Sequence, residues 1–374
     1  LGQSGAQARR EAAATPLRVC YPYRLAELRV LEAALADETD AVTRNLLACE
    51  LYDKGHVKRA VTLWEEARRL DRSSAVYARN LAVALFSHEY RWEEALALME
   101  EAMDIAPQID QLKLEYLYAA NKYGVPGEKR LEIIAHHPWI GRKADDYVLE
   151  HARALCLAGR HDEALSVMLD HKFVPAEGGE KAITNLYYAI MLYKGRLAIK
   201  VGRTDDALKI LLPLTGELPA NLHAGLWSET DLVPLYYYQA QALKAAGRQE
   251  ECLGKYRLAL KRFNQTMPEL APCYAGALRA LGRGVEARTY LSRLLRSAED
   301  MECLRSIGWE DMTSAFNSFQ NAPQRQREGM TAYWKALILI CEDRTEEARA
   351  LLEDSCHLWP ENLNAWFELE LLKR

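Results

Sequence analysis

Residues that could do chemistry occur in a few short groupings. His136 and His137 are adjacent, and zinc sites favour His or Cys at short spacing. Adjacent residues on a helix point about 100° apart, so we interpret the pair as a solvated helix end. Glu177 and Glu180 flank two glycines and could act as paired carboxylates in acid–base catalysis, although a flexible turn with solvated charges is the stronger interpretation.

Other catalytic and metal-binding patterns are missing from the sequence. The GRG at 282–284 lacks the GxxxxGK[ST] spacing of a phosphate loop. None of the eight cysteines forms a CxxC pair, which favours reduced, small core residues of a cytoplasmic protein. We therefore predict no enzymatic activity, no metal and no cofactor.

Composition narrows the possible partners. The net charge of −5 and the pI of about 6.1 supply no basic field for nucleic acid. The apolar runs fall short of the roughly 20 residues that span a bilayer, and no signal peptide is visible. Neither nucleic acid nor a membrane is a predicted partner.

A small residue recurs where one helix would have to approach another closely. The recurring residues are Ala26, Ala60, Ala95, Ala164, Ala207, Cys252, Ala287 and Ala348. The first two gaps are 34 and 35 residues, and the later ones fit one or two such units with insertions. A 34-residue period is typical of the tetratricopeptide (TPR) repeat, a helix–turn–helix unit. The predicted fold is an all-α TPR-type α-solenoid, a right-handed superhelix of stacked repeats.

Residues 41–74 illustrate the repeat. Large apolar, small and turn residues occupy its slots in order: Leu47, Ala48, Leu51, Gly55, Ala60, Trp64 and Ala67. The small residues allow two helices to approach to the short end of the usual 8–10 Å or so. Gly55 can take the positive φ that ends a helix.

The same register divides the rest of the chain. It predicts a tail or linker at 1–23, a capping helix at 24–37, repeats near 41–74, 75–107, 108–141 (divergent), 145–172, 183–214, 233–263, 268–295 and 329–362, and a C-terminal helix at 363–374 with a solvated face. Three insertions, at 173–182, 215–232 and 296–328, exceed the period. Insertions in a solenoid map to loops that often bind partners, but they also serve as spacers or packing loops.

The inner groove is the default binding site of such an array. The expected partner-binding residues are Asn45, Tyr52, Asp53, Arg79, Phe86 and His151 in the groove, with Glu177, Glu180, Trp227 and Tyr237 in or near the insertions. Asn45 and Arg79 match only part of the Lys/Asn/Arg clamp that grips acidic C-terminal peptides, so that ligand is not predicted. Tyr237 belongs to a tyrosine cluster for which core packing is the stronger interpretation.

Several segments together resemble one bacterial family. They are ELYDKG-x6-AVTLWEEARRLD (50–71), RNLAVALF (79–86), LMEEAMDIAP (98–107), HHPWIGRKADDYVLE (136–150) and HKFVPAEGGEK (171–181). The chain resembles the TPR array of uncharacterised multi-domain proteins with an N-terminal β-rich region related to sugar-processing β-sandwiches. The resemblance covers about residues 24–295 and implies the C-terminal array of a larger protein or a homologue without the β region.

Two insertions depart from the family pattern. Ala176 replaces a Trp, and a Gly between Glu180 and Lys181 is absent. The Gly-Glu-Gly-Lys that the family tends to place after Asn-Leu is missing after Leu222. If these loops bind a ligand in relatives, we expect this chain to bind it differently or not at all.

Three functional hypotheses follow. The leading one is a non-catalytic interaction or scaffold module that binds a protein partner, or its own upstream β-rich region, through the groove and insertions. The second is an accessory domain of carbohydrate metabolism whose insertion aromatics touch a glycan. A catalytic domain is the least favoured, because no convergent set of titratable groups is apparent.

Overall fold

The computed structural model describes residues 7, 11, 22–37, 40–174, 180–222, 232–261, 268–300 and 323–374. Within these ranges the chain forms helices and turns and no strand, arranged as the TPR-type α-solenoid that the spacing predicts. The helices are α1 Leu25–Asp37, α2 Ala41–Asp53, α3 Val57–Leu70, α4 Ala75–Ala84, α5 Trp92–Ile105, α6 Asp110–Tyr123, α7 Gly127–His136, α8 Asp145–Leu157, α9 His161–Leu169, α10 Glu180–Lys200, α11 Thr204–Leu211, α12 Leu232–Ala245, α13 Gln249–Lys261, α14 Ala271–Ala280, α15 Gly284–Asp300, α16 Pro323–Cys341, α17 Thr345–Leu358 and α18 Leu363–Lys373. In the described ranges no helix combines the length and apolarity that a bilayer crossing demands.

The helices divide between two compact units. Unit 1 takes the described residues within Leu1–Ala119 and Trp139–Gly141. Unit 2 takes those within Ala120–Pro138, Arg142–Asn317 and Ala322–Arg374. Consecutive helices pack in pairs in both units, for example α2 with α3 and α16 with α17.

The recurring small residues lie where paired helices touch. Ala60, Ala95, Ala164, Ala207, Cys252, Ala287 and Ala348 are each 0–1% exposed. A larger side chain at these positions would separate the helices, because protein interiors are close-packed. Ala26 differs: it is exposed on α1, together with Val30 (67%) in the corresponding aromatic slot.

The helix pairs turn through left-handed backbone positions. Glycine provides a positive φ after six of the first helices, at Gly55, Gly124, Gly159, Gly202, Gly247 and Gly282. Asp343 (φ 60°) takes this conformation without glycine in the turn between α16 and α17. In each case the backbone, and not the side chain, is the feature that the repeat requires.

The second repeat absorbs its extra residue in a π-helical turn. Residues Leu85–Glu89 continue α4 with π geometry, and Tyr90 follows with φ 55°. A π-bulge accommodates one added residue without breaking the helix. The turn therefore shifts the direction of every side chain after Ala84, with consequences for the candidate site.

The described ends of the first two insertions pack against each other. Asn221 donates from Nδ2 to the carbonyls of Met168, Leu169 and His171, at 3.0–3.1 Å. The Asn221 carbonyl in turn accepts from the Phe173 amide, at 3.0 Å. Because Phe173 and Leu222 are fully buried, these parts of the insertions complete the core of unit 2. The third insertion lies largely outside the described residues.

The C-terminal helix corrects one expectation. We expected 363–374 to end the array with a solvated face, but α18 is buried on two sides. Ala365 and Leu369 pack with α16 and α17, whereas Leu363, Phe367 and Leu371 join the core around α8 and α10. The Glu368 carboxylate, which the sequence suggested to be solvated, is buried in an ion pair with Arg196.

Candidate functional site

The candidate site in unit 1 is built from side chains about one repeat apart. Asn45, Cys49 and Tyr52 lie on α2, Arg79 and Asn80 on α4, His88 in the π-helical turn, and Glu115 on α6. Hydrogen bonds join partners 35 or 36 residues apart: Asn45 with Asn80, Tyr52 with His88, and Arg79 with Glu115. A separation of one period puts equivalent positions of successive first helices side by side. We call these seven residues the inter-repeat row.

The inner end of the inter-repeat row is polar and buried. Asn45 is 2% exposed, and its Oδ1 accepts from Trp64 Nε1 at 3.0 Å and from Asn80 Nδ2 at 3.2 Å. Asn80 Nδ2 also lies 3.6 Å from Cys49 Sγ. Burial raises the pKa of the Cys49 thiol to about 11, against the weaker effects of Trp64 and Arg79. Asn45 therefore orients its neighbours and offers little surface to a partner.

Arg79 and Glu115 neutralise each other in the middle of the inter-repeat row. The guanidinium donates from Nε and Nη2 to the two Glu115 carboxylate oxygens, both at 2.7 Å. Its Nη1 donates to Asn80 Oδ1 at 3.1 Å. Burial opposes the charged form, but Glu115 outweighs it and the pKa of Arg79 is raised. Because this bidentate fork already faces a carboxylate, it does not form a clamp for an acidic peptide terminus.

The outer end of the inter-repeat row is aromatic and accessible. The Tyr52 hydroxyl lies 3.0 Å from Nε2 of the exposed His88, and the two rings meet edge to face with centroids 5.3 Å apart. Tyr52 also packs on Trp64 at 5.5 Å and is half-buried, which raises its pKa. Next to it, the exposed Asp53 carboxylate accepts from Lys54 Nζ at 2.5 Å. Rings held rigidly at a partly exposed site are typical anchors for protein partners.

Phe86 is a correction to the predicted groove. We expected its side chain to face a partner, but it is fully buried in the π-helical turn. The prediction continued α-helical register past Ala84, and the π turn rotates the following residues, so that His88 reaches Tyr52 instead. The sequence signal for this shift is the second gap of 35 residues against 34 for the first, which places one extra residue in the segment HEYRW (88–92). The sequence also did not identify Glu115 as a site residue, because the small residues that mark the repeat positions are largely replaced in 108–141.

The remaining predicted residues belong to unit 2 or fall outside the described ranges. His151 is half-buried near Tyr147, with ring centroids 6.3 Å apart, and burial with nearby Lys143 lowers its pKa. Tyr237 packs against Gly276, whose missing Cβ leaves room for the hydroxyl, and burial raises the pKa of Tyr237 to about 12. Glu177 and Trp227 lie outside the described residues, as does the side chain of Glu180.

The adjacent histidines also lie in unit 2. His137 is buried and His136 exposed, and their rings meet edge to face with centroids 4.7 Å apart. His136 fits the solvated helix end that the sequence indicated, but the burial of His137 corrects that interpretation for the second residue.

Comparison with known proteins finds distant similarity to several solved structures. No family model matches it. A chain in the structure of Naa15/Naa10 bound to HypK-THB is similar over 92% of this chain and 52% of its own, at 16% identity and a TM-score of 0.42. Yeast Tom70 is similar over 92% of this chain and 91% of its own, at 13% identity and a TM-score of 0.33. The TPR2AB-domain:pHSP90 complex of yeast Sti1 is similar over 75% of this chain and 98% of its own, at 15% identity and a TM-score of 0.29. This chain thus spans about half the length of the first of these. At such TM-scores the likenesses assign it no partner and no site.

Proposed function

We propose that this chain is a non-catalytic protein-interaction module whose primary partner surface is the outer end of the inter-repeat row. The observation that carries the proposal is the Tyr52–His88 pair. It joins two successive repeats, and it leaves a rigid aromatic edge open to solvent. Aromatic residues in such settings are over-represented among the residues that dominate binding energy.

The charge pattern favours a particular kind of contact. Arg79 is satisfied by Glu115, and the Asp53 carboxylate is paired with Lys54. The partner is therefore expected to pack an apolar or aromatic side chain on Tyr52 and to hydrogen-bond with His88. Recognition of an acidic chain terminus is not part of this proposal.

The family resemblance supplies the proposed occupant. Relatives are expected to place a β-rich region upstream of the array, and that region is our first candidate for the surface that covers Tyr52. A separate protein is the other candidate. We also propose a cytoplasmic location, in which the free thiols of the described residues would persist.

The glycan-binding alternative remains a prediction. It depends on Trp227, which lies outside the described residues, and on nearby tyrosines. Tyr237 and Tyr238 pack on each other at 5.0 Å, and the Tyr238 ring also lies against the Arg196 guanidinium. A glycan array with Trp227→Ala as control would test it, with loss of a positive signal expected if the alternative holds.

Site-specific photocrosslinking tests the main proposal. A photoreactive amino acid would replace Tyr52 or His88 in the full chain and, as a control, the exposed Val285 of unit 2. Crosslinks are then mapped by mass spectrometry. Positions 52 and 88 should capture the same segment of one protein, whether upstream in the same polypeptide or separate.

Two results would contradict the proposal. One is the capture of the same species at positions 52, 88 and 285, which would indicate non-specific collision. The other is unchanged affinity of the mapped partner for a Tyr52→Ala variant, since loss of a central aromatic anchor is expected to weaken binding at least about tenfold.

A further inference from the structure

The helix α18 lies on a surface of unit 2 that corresponds in register to Cys49 and Asp53 of α2. Arg196 and Lys200 precede the turn glycine Gly202 by six and two residues. Cys49 and Asp53 precede Gly55 by the same intervals. The corresponding face of the repeat is therefore open at Asp53 in unit 1 and is covered by α18 in unit 2.

The contacts of α18 with this face are chemically specific. Phe367 stacks on Tyr193, with centroids 4.6 Å apart and rings inclined by 20°, and also meets His161 at 5.7 Å. Glu368 accepts from both terminal nitrogens of Arg196, and the Nη2 contact measures 2.7 Å. Lys200 Nζ donates to the Leu371 carbonyl at the last turn of α18.

These contacts all involve one face of α18. Leu363, Phe367 and Leu371 are spaced four residues apart and enter the core around α8 and α10. Glu368 stands beside them, and the Lys200 contact satisfies a carbonyl that a helix end leaves unpaired. The opposite stripe, Ala365 and Leu369, belongs to a different core with α16 and α17. The face of α8–α10 therefore recognises a ring, an adjacent carboxylate and a leucine four residues after the ring.

We propose that this face, marked by His161, Tyr193, Arg196 and Lys200, is a helix-docking site that α18 occupies in cis and that a partner's amphipathic helix with the same Phe-acid-x-x-Leu pattern occupies in its place. The mode is helix-in-groove recognition. The site is a second one, separate from the Tyr52–His88 surface, and it stands or falls independently of the function proposed there.

Competition by a peptide tests the proposal in the full chain. The probe is a fluorescent peptide of residues 361–374, and its binding is measured by anisotropy. In the Glu368→Lys chain the cis helix is repelled by Arg196 while the site is unchanged. The peptide should bind this variant at least about tenfold more tightly than wild type, because a buried charge pair is expensive to break.

Charge exchange supplies the matched controls. Arg196→Glu should abolish binding of the native peptide. The double variant Arg196→Glu/Glu368→Lys restores the cis pair with reversed charges and should again exclude the probe, as wild type does. Equal affinity of the peptide for wild type and Glu368→Lys would overturn the proposal, and so would no binding to a Glu368→Lys chain whose circular dichroism is unchanged.

Hydrogen exchange on the unaltered chain decides the matter if the variants do not fold. If a partner helix can displace α18, then α18 must detach from unit 2 more often than the adjacent α17 does. Faster exchange of the amides in 363–373 than of those in 345–358 is therefore expected. Equal protection of the two helices would overturn the proposal.

Discussion

At the residue scale, several helix contacts depend on an absent side chain. A Cβ on Gly127 would lie 2.5 Å from the Ala154 carbonyl oxygen and 2.6 Å from the Ala158 nitrogen. Both are backbone atoms of the neighbouring repeat, so neither can swing away. Only the packing shows that Gly127 lets α7 approach α8 this closely.

Gly127→Ala is expected to destabilise unit 2 by about 1–3 kcal/mol, the usual cost of overpacking. Gly254→Ala is the matched control, because Gly254 lies inside α13 with nothing within 4 Å of its Cβ position. It should stabilise the chain by about 0.5–1 kcal/mol through helix propensity. Urea unfolding followed by circular dichroism measures both, and equal shifts would contradict the packing explanation.

The buried cysteines should be chemically quiet. Burial raises the pKa of Cys156, Cys273, Cys341 and Cys356 to about 12 each. Since the thiolate is the nucleophile, alkylation at about pH 8 should be at least about 100-fold slower in the native chain than in the same chain unfolded in urea. Peptide-resolved mass spectrometry measures each site. Rapid native labelling at any of the four would show that its surroundings open readily.

At the element scale, the turn between paired helices is specified by backbone geometry. The sequence predicted the positive φ at Gly55 from its place after a first helix, and the same reasoning applies at Gly247. It could not predict that Asp343 adopts φ 60°, because aspartate is compatible with many other turns. The repeat imposes the left-handed conformation there through the packing of α16 against α17.

A reciprocal exchange tests the turn. Asp343→Gly should stabilise the chain by about 0.5–1 kcal/mol, because a left-handed conformation costs a non-glycine residue about 1 kcal/mol or more. Gly247→Asp should destabilise it by a similar amount, since a Cβ there meets nothing within 4 Å and φ alone decides the effect. Thermal unfolding of both variants measures the change. Shifts of the same sign would exclude the backbone explanation.

At the scale of the whole molecule, unit 2 links distant parts of the chain around one histidine. His161 packs against both Tyr193 and Phe367, which are separated by 174 residues in the sequence. Burial lowers its pKa below 6.5, helped by Arg374 and Lys194 and opposed by Asp162 and Glu370. The folded protein therefore disfavours the protonated ring.

This shift predicts acid sensitivity of unit 2. Below pH 6.5 the unfolded chain binds more protons at His161 than the folded chain, so stability falls as pH decreases through that value and is fully retained above it. His161→Gln should lose less stability than wild type between about pH 7 and pH 5.5. The exposed His357→Gln is the control and should keep the wild-type slope. Identical slopes for all three proteins would contradict the prediction.

The sequence alone determined the repeat and its helix pairing. Small residues at matched intervals indicate close helix contacts because only Ala, Gly or Cys fits between two backbones at that distance, and Ala60, Ala164 and Ala348 are buried accordingly. The residue types within one repeat period were sufficient to predict the helix pairing. They also identified the first-helix positions of Tyr52 and Arg79.

Only the tertiary structure decided which of these positions a partner could reach. The one added residue of the second repeat is accommodated by a π-helical turn, which buries Phe86 and places His88 at the surface next to Tyr52. Arg196 meets Glu368 across 172 residues, which brings the last helix onto the face of a much earlier repeat. No pattern within one period contains a contact between residues so far apart, so the sequence indicated a solvated face for 363–374 where the fold buries Glu368.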